Sequence, residues 1–143
     1  MKRTVVSLLA GLYFAFAGAA HATLEQGLNA YRKGDYVAAL KFWQPLAAKG
    51  NPDAQNNLGV LYEKGQGVEP NFVESVNWYR RAADQGHAQA QNNVGVMYEK
   101  GLGVKPDAKE AASWYLKAAQ RNNPNAQNNL GVLYFGGRGV SQD

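Results

Sequence analysis

Apolar residues recur along most of this chain at steps of three and four, the spacing of one helical face. Leu24, Leu28, Ala30 and Tyr31 form the first such face, Gly34 closes it, and Asp35 is placed to cap the next helix. Tyr36, Ala39, Leu40, Trp43 and Ala47 form the second face. Moved on by 36 residues, those positions become Phe72, Ser75, Val76, Tyr79 and Ala83, and then Ala108, Ala111, Ala112, Tyr115 and Ala119. Between them lies a more polar segment, Ala54 to Val68, which returns as Ala90 to Val104 and as Ala126 to Val140 with the same Ala-Gln-Asn-Asn opening. Self-similarity at one fixed period of this size is the mark of a solenoid of stacked supersecondary units. The pattern predicts seven helices after residue 22, joined by short loops, and no strand.

The breaks between faces carry start and stop signals. Asn71 has Glu74 three residues on, and Asp107 has Glu110, both in capping-box spacing. Asn51-Pro52 and Asn123-Pro124 read as N-cap followed by first-turn proline. Gly50, Gly86 and Asn122 tolerate the left-handed geometry that ends a helix, and the polar helices are expected to end at Gly65, Gly101 and Gly137. Gly59, Gly95 and Gly131 are different, because they fall mid-helix, where glycine costs about 1 kcal/mol relative to alanine. They make sense where a neighbouring helix comes close, with Ala83 and Ala119 as small residues on the opposing side and Tyr62 and Tyr98 filling the wider end.

The first 22 residues follow another logic. Lys2 and Arg3 precede an apolar run from Val5 to Ala17, and Ala20-His21-Ala22 is a small-x-small site. This reads as an export signal cleaved between Ala22 and Thr23. The run is short for a membrane span, which needs about 20 residues, and with no cysteine in the sequence there is no lipoprotein-type anchor. The expected organisation is a signal peptide over 1–22, a capping hairpin over 23–50, full repeats over 51–86 and 87–122, and an incomplete repeat over 123–143. The expected location is periplasmic or secreted, with no membrane contact after cleavage.

Composition removes several function classes. Of 15 basic residues two lie in the leader, which leaves 13 against 11 acidic ones, scattered and mixed, so no nucleic-acid footprint emerges. Without cysteine, stability rests on packing rather than disulfides. Gly65-Gln66-Gly67 and its copies imitate part of a nucleotide-binding glycine motif, but that motif needs a preceding strand, and here the glycines follow a helix. His87, the one histidine outside the leader, stands at the helix-start position held elsewhere by Asn51 and Asn123, which suits capping or exposure. One histidine and no cysteine give no zinc set. No catalytic residue, metal site or cofactor is expected.

The spacing Ala-x3-Leu-Gly-x2-Tyr-x2-Gly-x-Gly-Val, then Trp-Tyr-x2-Ala-Ala, resembles the Sel1-like repeat, a relative of the tetratricopeptide repeat. Here it is Ala54, Leu58, Gly59, Tyr62, Gly65, Gly67, Val68, Trp78, Tyr79, Ala82 and Ala83, and again Ala90, Val94, Gly95, Tyr98, Gly101, Gly103, Val104, Trp114, Tyr115, Ala118 and Ala119. The match runs from about Gly50 to Val140, and Leu24 to Lys49 looks more like a plain tetratricopeptide hairpin. The resemblance implies an all-α, right-handed solenoid of stacked antiparallel helix pairs, acting as a non-catalytic scaffold for a protein or peptide partner. The competing reading is a β-lactamase-like or cell-wall-active hydrolase, as described for cysteine-rich members. This chain lacks their cysteines and has no Ser-x-x-Lys motif, since Ser75 is followed by Trp78 and Ser113 by Leu116.

If Ala54, Leu58, Leu61 and Tyr62 are the buried stripe, then Asn56, Val60 and Glu63 face away from it, as do Asn92, Val96 and Glu99, and then Asn128, Val132 and Phe135. First helices line the concave surface of such stacks, and the resemblance assigns partner contacts to these positions. A ladder of asparagine amides can both donate to and accept from an extended peptide. Alternatively, the asparagines are solvated or bond one another along the stack. On the first reading, replacing Asn56, Asn92 and Asn128 by alanine weakens binding and leaves stability unchanged. The third polar helix has no partner helix after it, so Leu130, Leu133 and Tyr134 are expected to be partly exposed. Either the chain is a piece of a longer array, or a second molecule supplies the cover by self-association.

Overall fold

The computed structural model describes residues 23–138. The proposed leader and the residues after Arg138 lie outside them. Helix α1 covers the described residues 23–32 and is followed by α2 (Tyr36–Ala48), α3 (Pro52–Lys64), α4 (Phe72–Asp84), α5 (Ala88–Lys100), α6 (Ala108–Gln120) and α7 (Pro124–Phe135). No strand occurs among the described residues.

Local chemistry fixes these boundaries. Each helix from α2 to α7 opens on a side chain that accepts a first-turn N–H: Asp35, Asn51, Asn71, His87, Asp107 and Asn123. His87 therefore caps, its Nδ1 accepting from the Ala90 amide at 3.1 Å. The capping boxes form only by half. Asn71 accepts from the Glu74 amide, but its own N–H donates to the Tyr62 carbonyl at 2.9 Å. Asp107 does likewise toward Tyr98 at 3.0 Å. The returning glutamate is thus replaced by the end of the preceding helix, which ties the turn to the hairpin. Gly65 and Gly101 end α3 and α5 in left-handed geometry, and Gly50, Gly86 and Asn122 also have positive φ. Helix α7 ends one residue earlier than expected, at Phe135, with Gly136 as its cap and Gly137 left-handed.

Successive helices pack on one another from α2 to α7. The core is three clusters, and each one straddles a repeat boundary. One joins Ala39, Trp43, Leu46 and Ala47 of α2 to Ala54, Leu58 and Leu61 of α3, with Leu24, Leu28 and Tyr31 of α1 against it. The second joins α4 to α5 through Val76, Tyr79, Ala90, Val94 and Met97, with Trp114 added from α6. The third joins Ala111, Tyr115 and Ala118 of α6 to Ala126 and Leu133 of α7.

Within a repeat the pairing rests on a ring over a glycine. A Cβ on Gly59 would overlap the ring of Tyr79, and one on Gly95 the ring of Tyr115. The close approach is therefore made by an aromatic face, not by the Ala83 and Ala119 methyls expected from the sequence. The same contact exists at the start of the array, where Gly27 lies under Trp43. Nothing lies within 4 Å of the corresponding point on Gly131.

Candidate functional site

The repeated Ala-Gln-Asn-Asn segment lies in the first turns of α3, α5 and α7, and its polar residues divide the work. The glutamine reaches back to close the preceding helix: Gln55 Nε2 donates to the Ala47 carbonyl at 3.1 Å, Gln91 to Ala83 at 3.2 Å, and Gln127 to Ala119 at 3.4 Å. The first asparagine accepts from the second asparagine of the following repeat. Asn93 Nδ2 donates to Asn56 Oδ1, and Asn129 Nδ2 to Asn92 Oδ1, both at 3.1 Å.

This corrects the expected face. Asn56 and Asn92 are not directed at solvent; they are 8% and 5% exposed, covered by the next repeat. Val60 is half-buried against the α4–α5 cluster, and Val96 against the α6–α7 cluster. Glu63 and Glu99 are half-buried acceptors, taking the hydroxyls of Tyr79 at 2.6 Å and Tyr115 at 2.7 Å. Glu99 also takes the Arg138 guanidinium at 3.2 Å. Only in α7, over which no further repeat packs among the described residues, do Asn128, Val132 and Phe135 stand exposed. Leu133 departs from expectation in the other direction, being fully buried against α6, whereas Leu130 is half-buried and Tyr134 is 41% exposed.

The alternative considered for the asparagines, bonding along the stack, is the one the geometry realises. A helix in a stack has three contacts to satisfy: its own partner, the unit before and the unit after. Periodicity alone distinguishes only the first. The outward stripe therefore runs through Asp53, Asn57 and Lys64 on α3 and through Gln89, Asn93 and Lys100 on α5, of which Asn57, Gln89 and Asn93 are half-buried.

The tyrosine–glutamate pairs also carry the strongest electrostatic perturbation. Burial pushes the Tyr79 hydroxyl far above the ordinary phenol range, and its hydrogen bond to the Glu63 carboxylate pushes it further. Tyr115 responds in the same way to burial and to Glu99. Both are locked as neutral donors, which suits a structural tie.

One cavity of about 210 Å³ lies on this side of the molecule, lined by Leu28 and Tyr31 of α1, Trp43 of α2, and Asn57 and Val60 of α3. Its walls are apolar except for the Asn57 amide. Asn93 and Asn129 each hang on the asparagine of the unit before, but the asparagine of α1, Asn29, accepts from Arg32 instead, and the Asn57 side chain makes no hydrogen bond among the described residues. Sequence reasoning missed Gly27, over which the Trp43 ring sits, because α1 follows a different spacing from the later copies. The Gly65-Gln66-Gly67 segment is a turn after a helix, with Gln66 Oε1 accepting from the Tyr31 hydroxyl at 3.1 Å. Among the described residues no three His, Cys, Asp or Glu side chains gather as a metal set, and no helix is long and apolar enough to cross a membrane.

These features define a class: an α-solenoid whose repeats are held in register by a side-chain amide ladder and by aromatic rings seated on glycines. The chain belongs to the Sel1 repeat family, whose model matches residues 18–51, 52–87, 88–123 and 124–143. A Sel1 repeat protein from Oxalobacter formigenes is 40% identical, superposes with a TM-score of 0.80, and is matched over 84% of this chain and 49% of its own. A protective antigen of uropathogenic Escherichia coli with the same type of fold is also 40% identical, with a TM-score of 0.80 over 88% of this chain and 28% of its own. The chain thus spans about half of the first structure and little more than a quarter of the second. No curated protein matched its sequence. Sel1 repeat proteins generally mediate protein–protein interaction.

Proposed function

We propose that this chain is an exported, non-catalytic interaction scaffold that binds an extended peptide segment of a protein partner along the outward stripe of its first helices. The observation that carries this reading is the cavity between α1 and α3, where four apolar side chains surround an amide with unused hydrogen-bonding capacity. An aliphatic or aromatic side chain of the peptide fills the space against Leu28, Trp43 and Val60, and Asn57 both donates to and accepts from the peptide main chain beside it. Family membership supports the scaffold role, and the leader-like first 22 residues support export.

Selection from a random peptide display library on the purified chain, followed by Asn57→Ala and Val60→Asp, tests the site. Recovered peptides should share one apolar anchor and should lose about fivefold or more in affinity to each variant, since a lost hydrogen bond or an obstructed pocket costs about 1–3 kcal/mol. Selected peptides that bind both variants as well as the parent would overturn the assignment. Export is checked separately by the N-terminal sequence of the protein recovered outside the cytoplasm, which should begin at Thr23.

A further inference from the structure

Gln85 and Arg121 are copies of one position, 36 residues apart, and they cap the C-terminal ends of α4 and α6. Their side chains take different courses. Gln85 Nε2 donates to Gln55 Oε1 at 2.8 Å, and nothing lies within 4 Å of where a Cβ on Gly50 would stand. Arg121 instead spreads over Gly86, the copy of Gly50, so closely that a Cβ there would overlap its guanidinium. Gln91, the copy of Gln55, still donates to the Ala83 carbonyl, but its Oε1 is buried without a hydrogen-bond partner. The residue is only 4% exposed, so solvent does not supply the donor that Gln85 supplies one repeat earlier.

Gln91 lines a cavity of about 320 Å³ with Asp84 and Gln85 at the end of α4 and with Trp114, Lys117 and Arg121 at the end of α6. None of these residues belongs to the cavity between α1 and α3. We propose that this is a second binding site, and that its ligand presents a primary carboxamide, the side-chain group of glutamine or asparagine. The preceding repeat shows that group in place, where the Gln85 amide meets the same oxygen of the equivalent glutamine. A carboxamide gives Gln91 Oε1 the N–H it lacks, and its carbonyl can accept from Lys117 or Arg121. A carboxylate has no proton to give and would set its charge against the Gln91 carbonyl oxygen. Lys117 lies over the Trp114 ring at 4.1 Å, and the Arg121 side chain makes no hydrogen bond or ion pair among the described residues. Moving Arg121 aside to admit the ligand therefore breaks no bond of that kind.

Titrations of the isotope-labelled full chain, followed by NMR at the Trp114 indole and the Gln91 side-chain amide, test this with two matched pairs of ligands. One pair is free L-glutamine and L-glutamate; the other is the N-acetyl methylamides of the same two amino acids. At least one glutamine ligand should shift both signals saturably and bind about tenfold more tightly than its glutamate counterpart, the worth of one hydrogen bond. The pair that responds identifies the source of the amide, a free amino acid or a side chain within a peptide. Arg121→Ala and Arg121→Gln remove the same charge at one exposed position. Binding should survive the first and fall about tenfold or more in the second, whose own amide takes the seat. Equal or tighter binding of the glutamate ligands, as a merely basic surface would give, would overturn the proposal. So would the absence of a saturable response to all four ligands, or equal binding by the two variants.

Discussion

Tyr79 and Tyr115 show how much one hydroxyl can be asked to do. Each ring sits on a glycine of the neighbouring helix, and each hydroxyl is spent on a half-buried carboxylate. Because burial and the carboxylate raise both phenols above their ordinary value near 10, the folded chain keeps protons that the unfolded chain loses in alkali. Stability from this source is complete below about pH 10 and falls as the pH rises further. Thermal melts between pH 8 and 12 should show that decline, and Tyr79→Phe with Tyr115→Phe should make it shallower while lowering stability at neutral pH. A second prediction at this scale concerns Gln91, whose Oε1 is buried without a hydrogen-bond partner. In the preceding repeat Gln85 Nε2 donates to Gln55 Oε1 at 2.8 Å, but Arg121 stands in place of Gln85 in the next. Arg121→Gln should supply the missing donor and raise the melting temperature by the equivalent of about 1 kcal/mol.

The same dipeptide can have opposite worth in different helices. Gly95 in α5 lies under a ring, so Gly95→Ala should cost about 1–3 kcal/mol through overpacking. Gly131 in α7 meets nothing, so Gly131→Ala should stabilise by up to about 1 kcal/mol through helix propensity alone. Chemical denaturation of the two variants checks the sign. No local feature of the sequence distinguishes them, since both lie in an Asn-Asn-x-Gly-Val setting. Caps were easier to read. Asn51, Asn71, Asp107 and Asn123 all act as their sequence position suggests, because capping is settled within one turn. What the sequence concealed was the one-residue difference between Asn56 and Asn57. That difference is decided by the neighbouring unit, which no single helical wheel contains. Asn92→Ala should accordingly lower stability by about 1 kcal/mol, measured by urea titration, rather than leave it unchanged as an exposed residue would.

For the whole molecule, the 36-residue period was sufficient to establish stacked helix pairs, since a repeat of that length cannot bury its apolar face alone. It did not indicate where the seams fall. The clusters show that each core belongs half to one repeat and half to the next, so the unit of cohesion is offset from the unit of sequence. Deleting residues 72–107 should therefore leave a folded chain: α3 would meet α6, Gly59 would receive Tyr115, and Glu63 would accept its hydroxyl. Such a shortened protein should melt cooperatively at a lower temperature, because stability in these arrays is close to a sum of neighbour terms. Circular dichroism melts of the deletion variant decide the point.

The glycine and the glutamate four positions after it have a consequence for how such a molecule changes over generations. Copying or losing one period between Gly59 and Tyr115 returns each tyrosine to a glycine with a glutamate four residues on, so unequal exchange within that stretch preserves the contact. A slip of any other length sets phenols against phenyl groups and alanines against rings. The contact chemistry acts as a proofreader of length, admitting arrays of many sizes while rejecting those cut out of phase.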